Sequence, residues 1–370
     1  MVDILGFIIP FASIFGIYAI LSTSLNLEYG YGGQPNFGQT LFYGLGAFVA
    51  GIVVANLLPM LAHVSFNSIC DTSAYTQRGI IALNNPSFAI STWVLALFIS
   101  MAITGVVGYL LAYPAARVKE EWYLAMILLV AGDMFVIIVR NTPQFGCGFN
   151  GVAGLINPFA WIGTQMTNAN PSISTSLVNN ITSGIYAAVI LGFAALCFFI
   201  AERIAKSPYG RLLKSIRDDY TAAESLGKDV NKLRKQIMLI GSIMAGLAGA
   251  LYVFYIGVAT TEDYVSTVTF SLWVMMVLGG FANNRGVLVG TFVITLLDRG
   301  SLLLGILLQA SIFNFNANLL IYVRYMAEAV ILILLLMFRP KGLLPEKPVR
   351  TKAYDVFDFG KKDDSKGGPK

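Results

Sequence analysis

Charge is scarce in this chain. Of 370 residues, 12% are Asp, Glu, Lys or Arg, against about a quarter in ordinary soluble domains. That deficit excludes a conventional water-soluble enzyme. Histidine occurs once, at His63, so neither a His-based metal cluster nor a His-Glu-x-x-His motif can be built. No G-x-x-x-x-G-K-[ST] loop is present, so the chain should not hydrolyse ATP itself. Ser-centred nucleophile motifs are absent too. No cofactor is expected. The net charge of +5 sits in short loops and a tail, and is no signal for nucleic acid. Cysteine occurs three times. Cys197 lies in an apolar run, and Cys70 and Cys147 lie in loops placed outside, where a bridge is allowed. Spacing gives no geometry, and the reading adopted is two free thiols.

In place of charge the chain is 56% hydrophobic, with mean hydropathy +0.70. This composition defines an all-α, polytopic helical membrane protein. Apolar stretches near 4–25, 38–58, 87–112, 122–139, 181–204, 236–259, 286–310 and 319–338 suit the ~20 residues a spanning helix needs. A shorter run at 266–280 gives a ninth, broken or re-entrant, segment. "MVDILGFIIP" has an acidic flank and no small-residue cleavage site, and reads as a first membrane helix, not a signal peptide.

Lys and Arg set the orientation. The loop 206–235 is basic, and the tail from Arg339 holds nine Lys/Arg, whereas 141–180 has no charged residue and 59–86 only Asp71 and Arg78. Basic loops face the cytoplasm. Nine spans then put the N-terminus outside and the C-terminus inside; a re-entrant 38–58 would move the N-terminus inside. Residues 1–338 form one membrane domain. Residues 339–370 form a charged cytoplasmic tail, expected to be disordered and able to rest on anionic lipid.

Four stretches carry chemistry. Leu25–Gly51 is dense in glycine and holds Gln34, Asn36 and Gln39 where one span ends and the next begins. With Gly44 and Gly46 these residues either line a translocation pathway or make a tight turn and a close-packed helix. Asp133 lies mid-span, as an ion or substrate site or as a structural partner of an Arg such as Arg299 or Arg324. Asp298–Arg299 and Arg324…Glu328 read as self-contained structural pairs. The glycine-rich outer loop 145–159 either covers a vestibule or is only a loop. Finally, "DDYTAAESL" reads as a short helix capped by Asp218 or Asp219 and stopped by Gly227. The basic, amphipathic "YGRLLKSIR" precedes it. This segment either docks into a partner's groove or lies on anionic headgroups.

"GYGGQPNFGQTLFYGLGAF", "NGVAGLINP", "SPYGRLLKSIRDDYTAAESLGKDVNKLRKQIMLIGSIMAGLAGALYVFY", "VMMVLGGFANNRGVLVG" and "MFRPKGLLPE" follow one another along most of residues 1–345. Together they resemble the permease subunits of branched-chain amino-acid ABC transporters, in their M-type branch. The resemblance implies an importer that works by alternating access in the plasma membrane. Its partners would be ATP-binding ABC subunits, a second homologous permease, an extracytoplasmic solute-binding protein and lipid. It gives the 206–235 loop an ATPase-coupling role, with Arg211, Asp218, Ala222, Ala223, Glu224, Leu226 and Gly227 in or beside the docking helix. Gln39 stands where the family often has His, and Cys147 interrupts a glycine pair. The alternatives are a permease for urea or short amides, or a self-sufficient secondary carrier or channel using Asp133.

Overall fold

The computed structural model describes residues 4–65, 68–117, 121–310, 317–339 and 342–346. Most of the tail, and the side chains of Arg324 and Glu328, lie outside the described residues.

Each apolar stretch folds as a helix. In chain order these are α1 (Ile4–Leu25), α2 (Gln39–Leu61), α4 (Pro86–Arg117), α5 (Glu121–Asn141), α7 (Thr175–Lys206), α10 (Val230–Ile256), α11 (Ser266–Gly279), α12 (Asn284–Ala310) and α13 (Ala317–Phe338). Between them lie α3 (Thr72–Asn84) and α6 (Ala160–Ala169) on the side assigned outside, and α8 (Pro208–Asp218) and α9 (Tyr220–Ser225) on the other. Among the described residues, six helices are long and apolar enough to cross a membrane, so the expected count of nine spans is not established. The 14-residue α11 reaches only about 21 Å at 1.5 Å per residue, short of a ~30 Å hydrocarbon core.

The bundle is organised around α10, which packs against α4, α2 and α1. In its apolar window 78% of residues are buried, against 28% for α5 and for α7, so α5 and α7 present most of their surface outward. Small residues permit the central contacts. A Cβ on Gly46 would lie 2.3 Å from the Gly246 carbonyl oxygen, and one on Gly249 would lie 1.9 Å from that of Tyr43. Backbones this close leave no room for a side chain.

The end of the bundle that carries α3 and α6 is capped by irregular structure that periodicity did not reveal. A two-residue ribbon pairs β1 (Val152–Ala153) with β2 (Val258–Ala259), antiparallel. Arg78 is fully buried beneath it. Its guanidinium donates to the carbonyls of Ala74, Ala153 and Ile69. Desolvation pushes its pKa down from the ordinary Arg value. The reading of Cys70 and Cys147 as free thiols is corrected, because they form a disulfide across a separation of 77 residues. The α2–α3 and α5–α6 loops converge there, with a Cα–Cα distance of 5.4 Å. Cys147 takes a left-handed φ of 65° between Gly146 and Gly148, both also at positive φ. A glycine-type conformation is thus imposed on a cysteine at a cost of ~1 kcal/mol or more.

Candidate functional site: a buried polar cluster and a capped helix pair

Where α1 ends, the chain winds into a π-helical turn, Asn26–Tyr31. Such turns interrupt the i→i−4 ladder and are frequent at functional sites. Glycine lets the turn close: a Cβ on Gly30 would meet the Asn26 side-chain oxygen at 2.2 Å. The turn carries Glu28, which is fully buried. Asn36 donates to Glu28 Oε2 at 2.7 Å and to Gln39 Oε1 at 2.9 Å. Gln39 donates to Ser24 Oγ at 2.8 Å, and that hydroxyl donates to the Gly241 carbonyl at 2.8 Å. Among the described residues Glu28 Oε1 has no hydrogen-bond partner, and it occupies the space that the absent side chain of Gly241 leaves open. Asn26 continues the chain of contacts, donating to Asn284 Oδ1 at 2.7 Å and accepting from the Ala282 N–H at 2.9 Å.

Of the residues read from the sequence as a pathway, Asn36 and Gln39 are therefore brought together, in a buried cluster. Gln34, Asn36, Gln39, Gly44 and Gly46 are all buried, and Gly44 and Gly46 serve helix packing. Asp133 is not among them. It lies on the exposed face of α5 and accepts a hydrogen bond from Ser266 at the start of α11. Arg299, one of the structural partners considered for Asp133, instead contacts its neighbour Asp298 at 3.3 Å, the self-contained pair that the sequence suggests. Glu28 escaped the sequence reading. Its only signal was a carboxylate placed just beyond an apolar run.

The helix pair α8–α9 forms as the sequence suggests. Ser207 caps α8 by accepting from the Gly210 N–H, with Pro208 at the first turn. Leu213 and Ile216 turn inward. Asp219, not Asp218, caps α9, accepting from Thr221 N at 2.9 Å and Ala222 N at 3.0 Å. The Thr221 hydroxyl first, and then the Ala222 N–H, hold the Asp219 carboxyl below its ordinary value. Gly227 stops the helix at φ 73°. Asp218 instead pairs with Arg217 at 3.1 Å.

Of the residues read as partner-facing, Arg211, Asp218, Ala222, Glu224, Leu226 and Gly227 are exposed. Leu226 is the extreme, at 79%. Ala223 is corrected. It is only 4% exposed, because α9 leans on α8 and α10 and turns that methyl inward, so Ala223 does not present itself to a partner. On the membrane side, Arg217 donates to the Gly30 carbonyl in the π-turn at 2.6 Å. The helix pair and the buried cluster are thus in direct contact.

Long apolar helices around a glycine-packed centre, with one capped amphipathic pair on a single side, define a multi-pass membrane permease. The chain belongs to the family described as branched-chain amino acid transport system / permease component, whose sequence profile matches residues 7–338. It is similar to the probable branched-chain amino acid transport permease protein LivM of Methanocaldococcus jannaschii, with 30% identity over 345 residues, 91% of this chain and 93% of that protein. It is 22% identical to the high-affinity LivM permease protein of Escherichia coli, over 91% of this chain and 70% of that one. It is 23% identical to the corresponding LivH protein of that organism, over 88% and 91%. No solved structure matches it.

Proposed function

We propose that this chain is the membrane-spanning permease of an ATP-driven importer of branched-chain or related amino acids, working by alternating access in the plasma membrane. The carrying observation is the α8–α9 pair. A solvated loop needs neither the Ser207 and Asp219 caps nor a leucine at 79% exposure. A helix that docks into a partner needs a firm end and an apolar contact, so Leu226, flanked by Ala222 and Glu224, is the anchor for an ATP-binding subunit.

The Cys70–Cys147 bridge supports assigning the 59–86 and 141–180 loops to the oxidising, extracytoplasmic side, and hence α8–α9 to the cytoplasm. On the extracytoplasmic side a solute-binding protein would deliver substrate. Asp133 marks the face turned to a second, homologous permease. A carboxylate at mid-span costs about 2.5–3.5 kcal/mol against lipid, so a protein surface or a watered path between the two permeases is its suitable neighbour.

The test is leucine uptake into vesicles holding this chain with its co-purified partners. Uptake is expected to require ATP and an ATPase subunit. Leu226→Glu should lose that subunit from the purified complex, and Asp133→Asn should slow uptake with the complex intact. Uptake driven by a proton or sodium gradient in vesicles of the chain alone would sink the proposal.

A further inference from the structure

The segment Gly342–Glu346 lies across the cytoplasmic ends of helices distant from it in sequence. Leu343 N–H donates to the Leu278 carbonyl at 2.9 Å and Leu344 N–H to that of Gly279 at 3.0 Å. Asn283 returns a hydrogen bond to the Leu344 carbonyl at 3.1 Å. The segment is thus stitched to the α11–α12 junction. The fit is close: Gly342 adopts φ 77°, and a Cβ there would stand 2.5 Å from the Gly280 Cα. The strap then ends on α8. Glu346 contacts Lys214 Nζ at 2.5 Å and Arg217 Nη2 at 3.1 Å. All three side chains are a quarter exposed or less, so this pair is sheltered from the screening that empties surface ion pairs of effect.

Besides its contact with the neighbouring Asp218, Arg217 is therefore held at two further points. Its Nη1 grips the π-turn of α1 through the Gly30 carbonyl, and its Nη2 grips the strap. The strap is not packed solid beneath. It borders a cleft of ≈ 490 Å³, whose lining includes Tyr31, Lys206, Lys214 and Arg285, so it has room to shift. A displacement of α8 reaches the membrane domain by two separate routes, one into α1 and one into α11–α12.

We propose that Gly342–Glu346 is a second transmission arm, with Glu346 as the positioning residue that makes the α11–α12 junction follow α8. This rests on the coupling role proposed above. Coupling between sites requires an element both can bias; the strap joins the docking pair to the helix whose first residue, Ser266, touches Asp133.

The test uses the complete transporter in vesicles, with leucine as the probe. It compares wild type, Glu346→Gln, and the conservative Glu346→Asp. Two quantities are read: leucine moved per ATP hydrolysed, and the unfolding temperature of the complex. Glu346→Gln should lower the ratio about fivefold, the low end of ordinary coupling energies, and leave the unfolding temperature within a few degrees. Glu346→Asp, which keeps the charge that Lys214 and Arg217 face, should recover much of the ratio. An unchanged ratio in Glu346→Gln overturns the arm. So does a parallel fall of ratio and unfolding temperature with no recovery, which makes the strap a structural anchor only. If wild type shows no ATP-driven uptake, the proposed function itself fails and the arm with it. If wild type is coupled and Glu346→Gln equally so, only the arm falls.

Discussion

Glycine positions that look equivalent in the sequence have opposite duties. Gly46 faces the Gly246 backbone, with a Cβ clash at 2.3 Å against a carbonyl that cannot swing away. Gly192, inside α7, has nothing within 4 Å of the corresponding point. Gly46→Val should therefore cost at least the ~1–3 kcal/mol typical of overpacking, seen as a lower unfolding temperature in detergent. Gly192→Ala should cost nothing, because it adds a methyl to open space and alanine is the better helix former. Equal unfolding temperatures for the two variants would contradict the packing seen at α2 and α10. Glu28 makes a related point. A buried carboxyl with one orphan oxygen is costly on its own, and it is tolerated because Asn36 donates to the other oxygen and Gly241 makes room.

At the scale of elements, α9 has six residues, too few to persist by propensity alone. Its caps hold it. Asp219 carries the pH dependence. Its carboxyl is held below the ordinary value by the Thr221 hydroxyl and the Ala222 N–H. A depressed carboxyl contributes fully above the unfolded value near ~3.9 and loses its contribution as pH falls through the lower folded value. Hydrogen exchange corrected for intrinsic rates is expected to show Thr221 and Ala222 amides equally protected at neutral and mildly acidic pH. That protection should drop only in strong acid, and should drop several-fold at every pH in Asp219→Ala. Protection already lost at mildly acidic pH would contradict the assigned cap.

At the scale of the molecule, the disulfide joins two loops through cysteines 77 residues apart in sequence. The bridge closes over α3, α4 and α5, so it constrains much of the unfolded chain. Replacing both cysteines by serine should lower stability by roughly 2–4 kcal/mol. An impermeant thiol label, applied after reduction to sealed vesicles of known sidedness, should reach Cys70 and Cys147 from the extracytoplasmic side. Labelling from the cytoplasmic side alone would reverse the proposed orientation. The same bridge and the Arg140–Glu262 ion pair fasten the C-terminal end of α5, whose exposed face carries Asp133.

Helix identity along the chain was legible in the residues themselves. Runs of about 20 apolar side chains permit little else, since every backbone polar group in a bilayer must be satisfied within its own segment. The α8–α9 pair was legible for a similar reason: capping residues act over three or four positions, within reach of local sequence. The contacts between distant segments were not. That Asn36, Gln39 and Glu28 would close on one another, that Ala223 would turn inward, that Cys70 would meet Cys147, and that Glu346 would reach Arg217 all depend on how helices cross. Crossing is set by which glycines let backbones approach, as at Gly46 against Gly246, and apolar periodicity is nearly uninformative about it when a helix is hydrophobic on every side. Composition determined that this chain lives in a membrane as a bundle of helices. Only the packed structure decided which of its few polar groups are sealed inside and which are left for a partner.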